Sequence, residues 1–208
     1  MNYIKWEKLA DKYNNLWVQK YSLGPTRRDV SRIIIPLLEK NPDLKWLDIG
    51  CGTGQLISMI SKDFPDISYL GMDVAKNMVE KAAGATSGKN IRFVVTPIEE
   101  FTTTEKYDII TCMHAFPYFP DKAGVIDKFA SLLSDTGELI IVNSSTNNPW
   151  DLIVNFGLKF TTSKAKYLSI RQMKKLFAAS GLKEKQISVI KEKWYMPTIA
   201  LMDVEKKG

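Results

Sequence analysis

Two cysteines and a single histidine are all the thiol and imidazole that the 208 residues contain. Cys51 and Cys112 have neither the paired spacing of a zinc site nor the density of a disulfide-stapled secreted domain, so no metal site is expected, and free, reduced thiols in a cytoplasmic protein are. No apolar run approaches the ~20 residues that cross a bilayer, which excludes a membrane-spanning helix. Met1–Glu7 hold no apolar stretch of the signal-peptide kind. No membrane is therefore expected among the partners. Internal repeats and low-complexity linkers are also missing, so the chain reads as one domain with at most a small appendage.

Hydrophobic residues make up 45% of the chain, enough for a real core. The net charge of +6 is uneven, because residues 159–208 hold 12 basic and 4 acidic residues. A basic C-terminal quarter can attract phosphate or nucleic acid. Lysines scattered over a solvated face give the same tally, and no separate nucleic-acid module is present, so nucleic acid is not the expected partner. Nothing in the chain fixes an oligomeric state.

From residue 46 onward strand and helix patterns alternate. Trp46–Ile49 is a short apolar strand running into a glycine-rich turn. Helical apolar spacing follows over 55–64, stopped by Pro65. Further strands are predicted over 67–72, 91–95, 107–112 and 138–142. Helices are predicted over 75–83 and 122–133, the latter closed by the turn Ser134-Asp135-Thr136-Gly137. Ser169 can cap a helix through Ala179, closed by Gly181, and two more strands are predicted over 185–191 and 194–203. This order implies an α/β fold with a mostly parallel sheet and helices on both faces. Residues 1–45 are helical in pattern: Thr26 with Asp29 resembles a capping arrangement, and Pro36 should kink or end its helix. Residues 149–163 form an insertion with Trp150, Ile153, Val154, Phe156, Leu158 and Phe160 in a helix-like pattern.

Gly50-Cys51-Gly52-Thr53-Gly54 follows a strand and opens a helix. Glycine lets the backbone turn sharply and lets a ligand approach the main chain, and the free amides of the following helix favour anionic or polar groups. Asp73 ends the second strand, where a carboxylate can accept hydrogen bonds from both hydroxyls of a ribose. Together the two features describe a nucleoside site at the carboxyl edge of a parallel sheet. A dinucleotide site would carry a third glycine where this chain has Gln55.

These residues resemble the first motif of the class I S-adenosylmethionine-dependent methyltransferases, through Leu47-Asp48-Ile49-Gly50-Cys51-Gly52-Thr53-Gly54. The resemblance continues through Gly71-Met72-Asp73, Tyr107-Asp108-Ile109-Ile110, Phe119-Pro120-Asp121, Leu132–Leu139 and Ala178–Leu182, and the small-molecule branch is the most similar. It implies a doubly wound, Rossmann-like sheet of seven strands with the last antiparallel, a methyltransferase domain over 46–208, and S-adenosylmethionine as cofactor. It further implies that Gly50, Gly52 and Gly54 pass under the methionine part, with Cys51 between them and Asp48 near the amino group. Asp73 would hold the ribose, Met72 and Val74 would flank the adenine, and Cys112 and Met113 would line the methionine end. Thr96-Pro97 stands where the family has an aspartate near the adenine amino group, leaving that contact to the amide of Ile98 or to Glu99.

Proximity and alignment alone supply about 7–11 kcal/mol of a barrier, whereas a hydroxyl acceptor also needs a base. His114, two residues past the fourth strand, is the base candidate; the alternative is a packed histidine. Tyr13, Trp17 and Tyr21 are spaced for one helical stripe, which would either pack the N-terminal segment or form a lid over the cofactor; Tyr13 and Tyr21 are its cofactor-contacting candidates. Arg27 or Arg28 could reach the methionine carboxylate, or lie on the surface. Phe116, Pro117, Tyr118 and Phe119 would shape a pocket for a small-molecule acceptor or belong to the core. Two other readings, methylation of RNA or protein and a non-catalytic nucleoside-binding protein, stand beside the small-molecule one.

Overall fold

The computed structural model describes residues 4–17, 19–162, 165–191, 193 and 195–207. Its centre is a seven-stranded sheet in the order β3-β2-β1-β4-β5-β7-β6. The strands are β1 (Lys45–Ile49), β2 (Ser68–Asp73), β3 (Ile91–Val95), β4 (Tyr107–Met113), β5 (Leu133–Ser144), β6 (Leu182–Ile190) and β7 (Ile199–Lys206). The first five run parallel, and β7 runs antiparallel to both of its neighbours. This is the Rossmann-like arrangement implied by the motifs.

Period-two alternation sends neighbouring side chains to opposite faces. Leu47, Ile110 and Ile141 face α5 (Lys122–Leu132) and α7 (Ile170–Ala179), whose Phe129 and Phe177 complete that core. Trp46, Ile109 and Ile140 face α2 (Gly24–Lys40) and α3 (Gln55–Ile60), packing on Ile34, Leu38 and Ile57. Strands covered on both sides therefore read as continuous apolar runs.

Several expected boundaries move. α3 ends at Ile60 rather than Phe64. Ser134–Gly137 bulge out of the ladder: Tyr107 pairs with Leu133 but Ile109 pairs with Glu138. β6 begins three residues earlier than expected, at Leu182, whereas β7 lies later, at Ile199–Lys206, and Trp194 is outside the described residues. Pro36 lies inside α2, which continues to Lys40. Thr26 does not start that helix. Gly24 and Pro25 precede it, and its hydroxyl donates back to the Ser22 carbonyl at 2.7 Å.

The insertion is α6 (Pro149–Thr162), a helix as its spacing indicated, with polar residues on its buried side. Asp151 and Asn155 are buried, while Leu152, Ile153 and Phe156 are exposed. The reason is hydrogen bonding. Asp151 accepts from the amides of Asn147 and Thr198, and Asn155 donates to the Ser145 carbonyl. The side chains of Leu158 and Phe160 lie outside the described residues, as does Ser163.

At the far end of the sheet, Asp203 is buried beside Glu138, which accepts from Lys185. Glu138 Oε2 and Asp203 Oδ1 have no hydrogen-bond partner among the described residues. Burial, and then the Glu138 charge, hold the Asp203 carboxyl well above the carboxylate range. A raised folded pKa contributes stability at low pH that is lost as pH rises from the unfolded value of ~4. Asp203→Asn, which cannot ionise, should therefore gain more Tm over the parent at pH 8 than at pH 4.5. An equal difference in thermal scans at both values would contradict this.

Candidate active site

The carboxyl ends of β1, β2 and β4 open onto a cavity of about 480 Å³. The glycine loop forms its floor. Gly50, Gly52 and Gly54 all have positive φ, at 72°, 55° and 70°. The amides of Gly50 and Cys51 both donate to the Met72 carbonyl, fixing the loop against β2. Gly52 is the one of the three whose Cβ position meets no close contact, the nearest atom being Tyr13 Cε1 at an ordinary 3.6 Å.

Asp73 closes the end of β2. Its two carboxylate oxygens accept from the Gly52 amide at 3.0 Å and the Ala75 amide at 2.9 Å. Burial raises its pKa, and these two hydrogen bonds oppose the rise. Asp48 sits beneath the loop, and burial pushes its carboxyl up to about 7. It accepts from Thr111 Oγ1 at 2.6 Å, which in turn accepts from Trp46 Nε1 at 2.9 Å. The Asp73 charge adds to the shift.

Residues 4–17 and 19–23 cross over this floor. Glu7, in α1 (Ile4–Leu9), accepts from the amides of Lys76 and Asn77 at 2.6 and 2.8 Å. It thereby caps α4 (Lys76–Ala85), whose own N-cap residue is Ala75 and supplies no side-chain cap. Asp11 pairs with Lys81 at 2.9 Å, and Asn14 accepts from Thr53 at 2.7 Å. Trp6 packs edge-on against both Tyr13 and Tyr118. Tyr13 is kept a neutral phenol, its pKa raised to about 12 by burial and the Asp73 charge.

The expected aromatic stripe does not form. Tyr13 begins a 3₁₀ turn, and Tyr21 lies in a separate π-helical turn over Gln19–Leu23. Tyr13 and Trp17 line the cavity, whereas Tyr21 lies outside it, under the Lys20 ammonium. The break falls between Tyr13 and Tyr21, where the 3₁₀ turn over Tyr13–Asn15 ends at an extended Leu16 before the turn over Gln19–Leu23 begins.

Past β4, His114 adopts a positive φ of 56°, rare for a residue with a side chain. Its amide donates to the Val142 carbonyl, and its imidazole joins the cavity wall. Burial and the Arg27 charge lower its pKa to about 4. Arg27 itself donates to Gln19, which donates to the Tyr13 carbonyl, and it does not line the cavity; Arg28 is exposed. Pro117, Tyr118 and Phe119 line the cavity while Phe116 is core. Lys122 holds that loop by donating to three of its carbonyls.

Of the residues singled out in the sequence, Tyr13, Gly50, Gly52, Asp73, Val74, Ile98, Met113 and His114 share this cavity. Asp48, Cys51, Gly54 and Cys112 lie behind its surface, and Glu99 is exposed to solvent. Both cysteines are free. Among the described residues, no cluster suited to a metal ion occurs and no helix is long and apolar enough to cross a membrane. Trp6, Leu9, Ser144 and Tyr167 are cavity residues that sequence reasoning missed. Only Ser144, at the carboxyl end of a central strand, carried a usable signal.

A family model described as a methyltransferase domain matches residues 40–195. The chain belongs to this methyltransferase family. The malonyl-acyl-carrier-protein O-methyltransferase of Acetivibrio thermocellus is 32% identical over 102 residues, 49% of this chain and 36% of that protein. The ubiquinone biosynthesis O-methyltransferase of Histophilus somni is 30% identical over 161 residues, 72% of this chain and 66% of that one. The methyltransferase chain thus spans between about a third and two-thirds of the length of these relatives. The crystal structure of magnesium protoporphyrin IX methyltransferase from Synechocystis PCC 6803 with bound SAH superposes with a TM-score of 0.73 at 17% identity, over 92% of this chain and 88% of that one. That likeness is one of fold.

Proposed function

We propose that this methyltransferase moves the methyl group of S-adenosylmethionine to a hydroxyl of a small, largely apolar acceptor. The observation that carries this reading is the juxtaposition of the Gly52 floor, the Asp73 carboxylate and His114 in one cavity. The relatives named above as O-methyltransferases support the same reaction class. When bound, the cofactor supplies a methyl group made electrophilic by its sulfonium. The protein has to bind, align and keep water out. Asp73 retains acceptor capacity beyond its two amide bonds for ribose hydroxyls. Asp48 lies under the loop as counter-charge for the cofactor's amino group. The 4–23 segment acts as a lid, with Tyr13 and Trp17 over the site. Apolar side chains at the other end (Leu16, Leu23, Pro117, Phe119) exclude charged acceptors that would lose their hydration there.

Two outcomes test this reading. Asp48 must be ionised to act as a counter-charge from beneath the loop, so S-adenosylmethionine affinity should rise with pH from 5.5 to 7.5, calorimetry being the check. A Kd flat over that range would remove Asp48 from the site. His114→Ala should slow S-adenosylhomocysteine release by about tenfold to a thousandfold on a panel of hydroxylated aromatic acceptors followed by mass spectrometry, while cofactor affinity stays within about twofold. A normal rate in that variant would exclude His114 from the mechanism.

A further inference from the structure

We infer that Thr26 is a positioning residue that fixes the tautomer of His114 and leaves Nδ1 as the lone-pair acceptor facing the cavity. Thr26 is fully buried in the first turn of α2. Its hydroxyl oxygen lies 2.7 Å from the Ser22 carbonyl oxygen and 3.1 Å from His114 Nε2. A carbonyl can only accept, so the single hydroxyl proton of Thr26 is committed to Ser22. Toward the imidazole the Thr26 oxygen can then only accept, and Nε2 must carry the hydrogen. With one proton on a neutral ring, Nδ1 is bare. It makes no hydrogen bond among the described residues and is not among the fully buried unpartnered atoms, so it is open to the cavity that His114 lines. The ring stays neutral at physiological pH because burial lowers its pKa to about 4.

The chain of contacts runs from backbone carbonyl to hydroxyl to imidazole. It gives His114 an orienting partner where the sequence offers no carboxylate beside it. Ser22 belongs to the π-helical turn of the segment crossing the cavity and itself lines that cavity, so the same segment that covers the site also sets the imidazole's proton. The consequence for catalysis rests on the O-methylation reading: an acceptor hydroxyl donates to Nδ1, passes its proton there, and the proton returns to solvent after turnover. Losing the Thr26 hydroxyl would leave Nε2–H buried and unsatisfied, a cost the ring escapes by moving its proton to Nδ1, where it blocks the acceptor.

His114 is the sole histidine, so its ring nitrogens can be observed without assignment ambiguity. Long-range proton–nitrogen correlation spectra of ¹⁵N-histidine-labelled protein at pH 7, without cofactor, should place Nε2 with the protonated nitrogens and Nδ1 with the unprotonated ones. Thr26→Ser should keep that pattern. Thr26→Val should shift it to an averaged or reversed one, while calorimetric binding of S-adenosylhomocysteine stays within about twofold of the parent. A protonated Nδ1 in the parent protein, or an unchanged spectrum in Thr26→Val, would overturn the assignment. Should Thr26→Val fail to fold, the parent and Thr26→Ser spectra still decide it. Failure to bind S-adenosylhomocysteine would refute the cofactor reading and leave the tautomer result standing.

Discussion

Asp73→Ala is expected to weaken S-adenosylmethionine binding by about tenfold or more, since each charge-assisted hydrogen bond contributes about 1.5–3 kcal/mol. Two effects add. On the function proposed above, the ribose loses its carboxylate acceptor. The glycine loop also loses its tie, because Asp73 holds the Gly52 amide at 3.0 Å and the Ala75 amide at 2.9 Å. Asp73→Asn separates them, since a side-chain carbonyl can still accept from one amide but brings no charge. Its affinity should fall between those of the parent and Asp73→Ala. An unchanged Kd for Asp73→Ala by titration calorimetry would contradict the placement of the sugar.

The second large effect divides two glycines that the motif treats alike. Gly50 has a φ of 72°, and a Cβ there would stand 2.3 Å from the Ala115 Cβ. Gly50→Ala combines left-handed strain with a collision against a fixed neighbour. The sum is about 2–5 kcal/mol, or a fall in Tm of about 4–20 °C for a chain of this size. Gly52 has a φ of 55° but meets its nearest neighbour, Tyr13 Cε1, at an ordinary 3.6 Å. Gly52→Ala should pay only the backbone strain, about 1–2 kcal/mol. Its methyl group, however, enters the space between the loop and the Tyr13 ring. Gly52→Ala should therefore lose more S-adenosylmethionine affinity than stability, by about tenfold or more, while Gly50→Ala should show the larger fall in Tm. The reverse ranking in thermal scans and titrations would show that the cofactor does not pass over Gly52.

What could be read from the sequence follows from how local each feature is. The floor was legible because glycines at left-handed φ, a following helix and an acid ending the next strand are all encoded in order between residues 50 and 73. The order of strands and helices was legible because sheets covered on both faces demand apolar runs. The cover was not. Ala75 cannot cap α4, and the residue that does, Glu7, comes from a different part of the chain. Tyr13, Trp17 and Tyr21 match a helical period that the backbone abandons at the Gln19–Leu23 turn, so the stripe splits. α6 was legible only in part. Its helix-like spacing was legible, but which side faces inward was not, because Asp151 and Asn155 satisfy buried backbone groups and turn the apolar residues outward. Thr26 looked like a cap from its neighbours. Its use is set by His114, and that contact exists only once the sheet has formed.

Titration of the purified chain with S-adenosylhomocysteine in a calorimeter, at pH 7.5 and up to millimolar ligand, tests the central claim most directly. The arrangement of Gly52, Asp73 and Tyr13 predicts saturable heat from one site per chain, abolished or strongly weakened in Asp73→Ala. No saturable heat at any concentration in that range, from protein with an intact thermal transition, would contradict it.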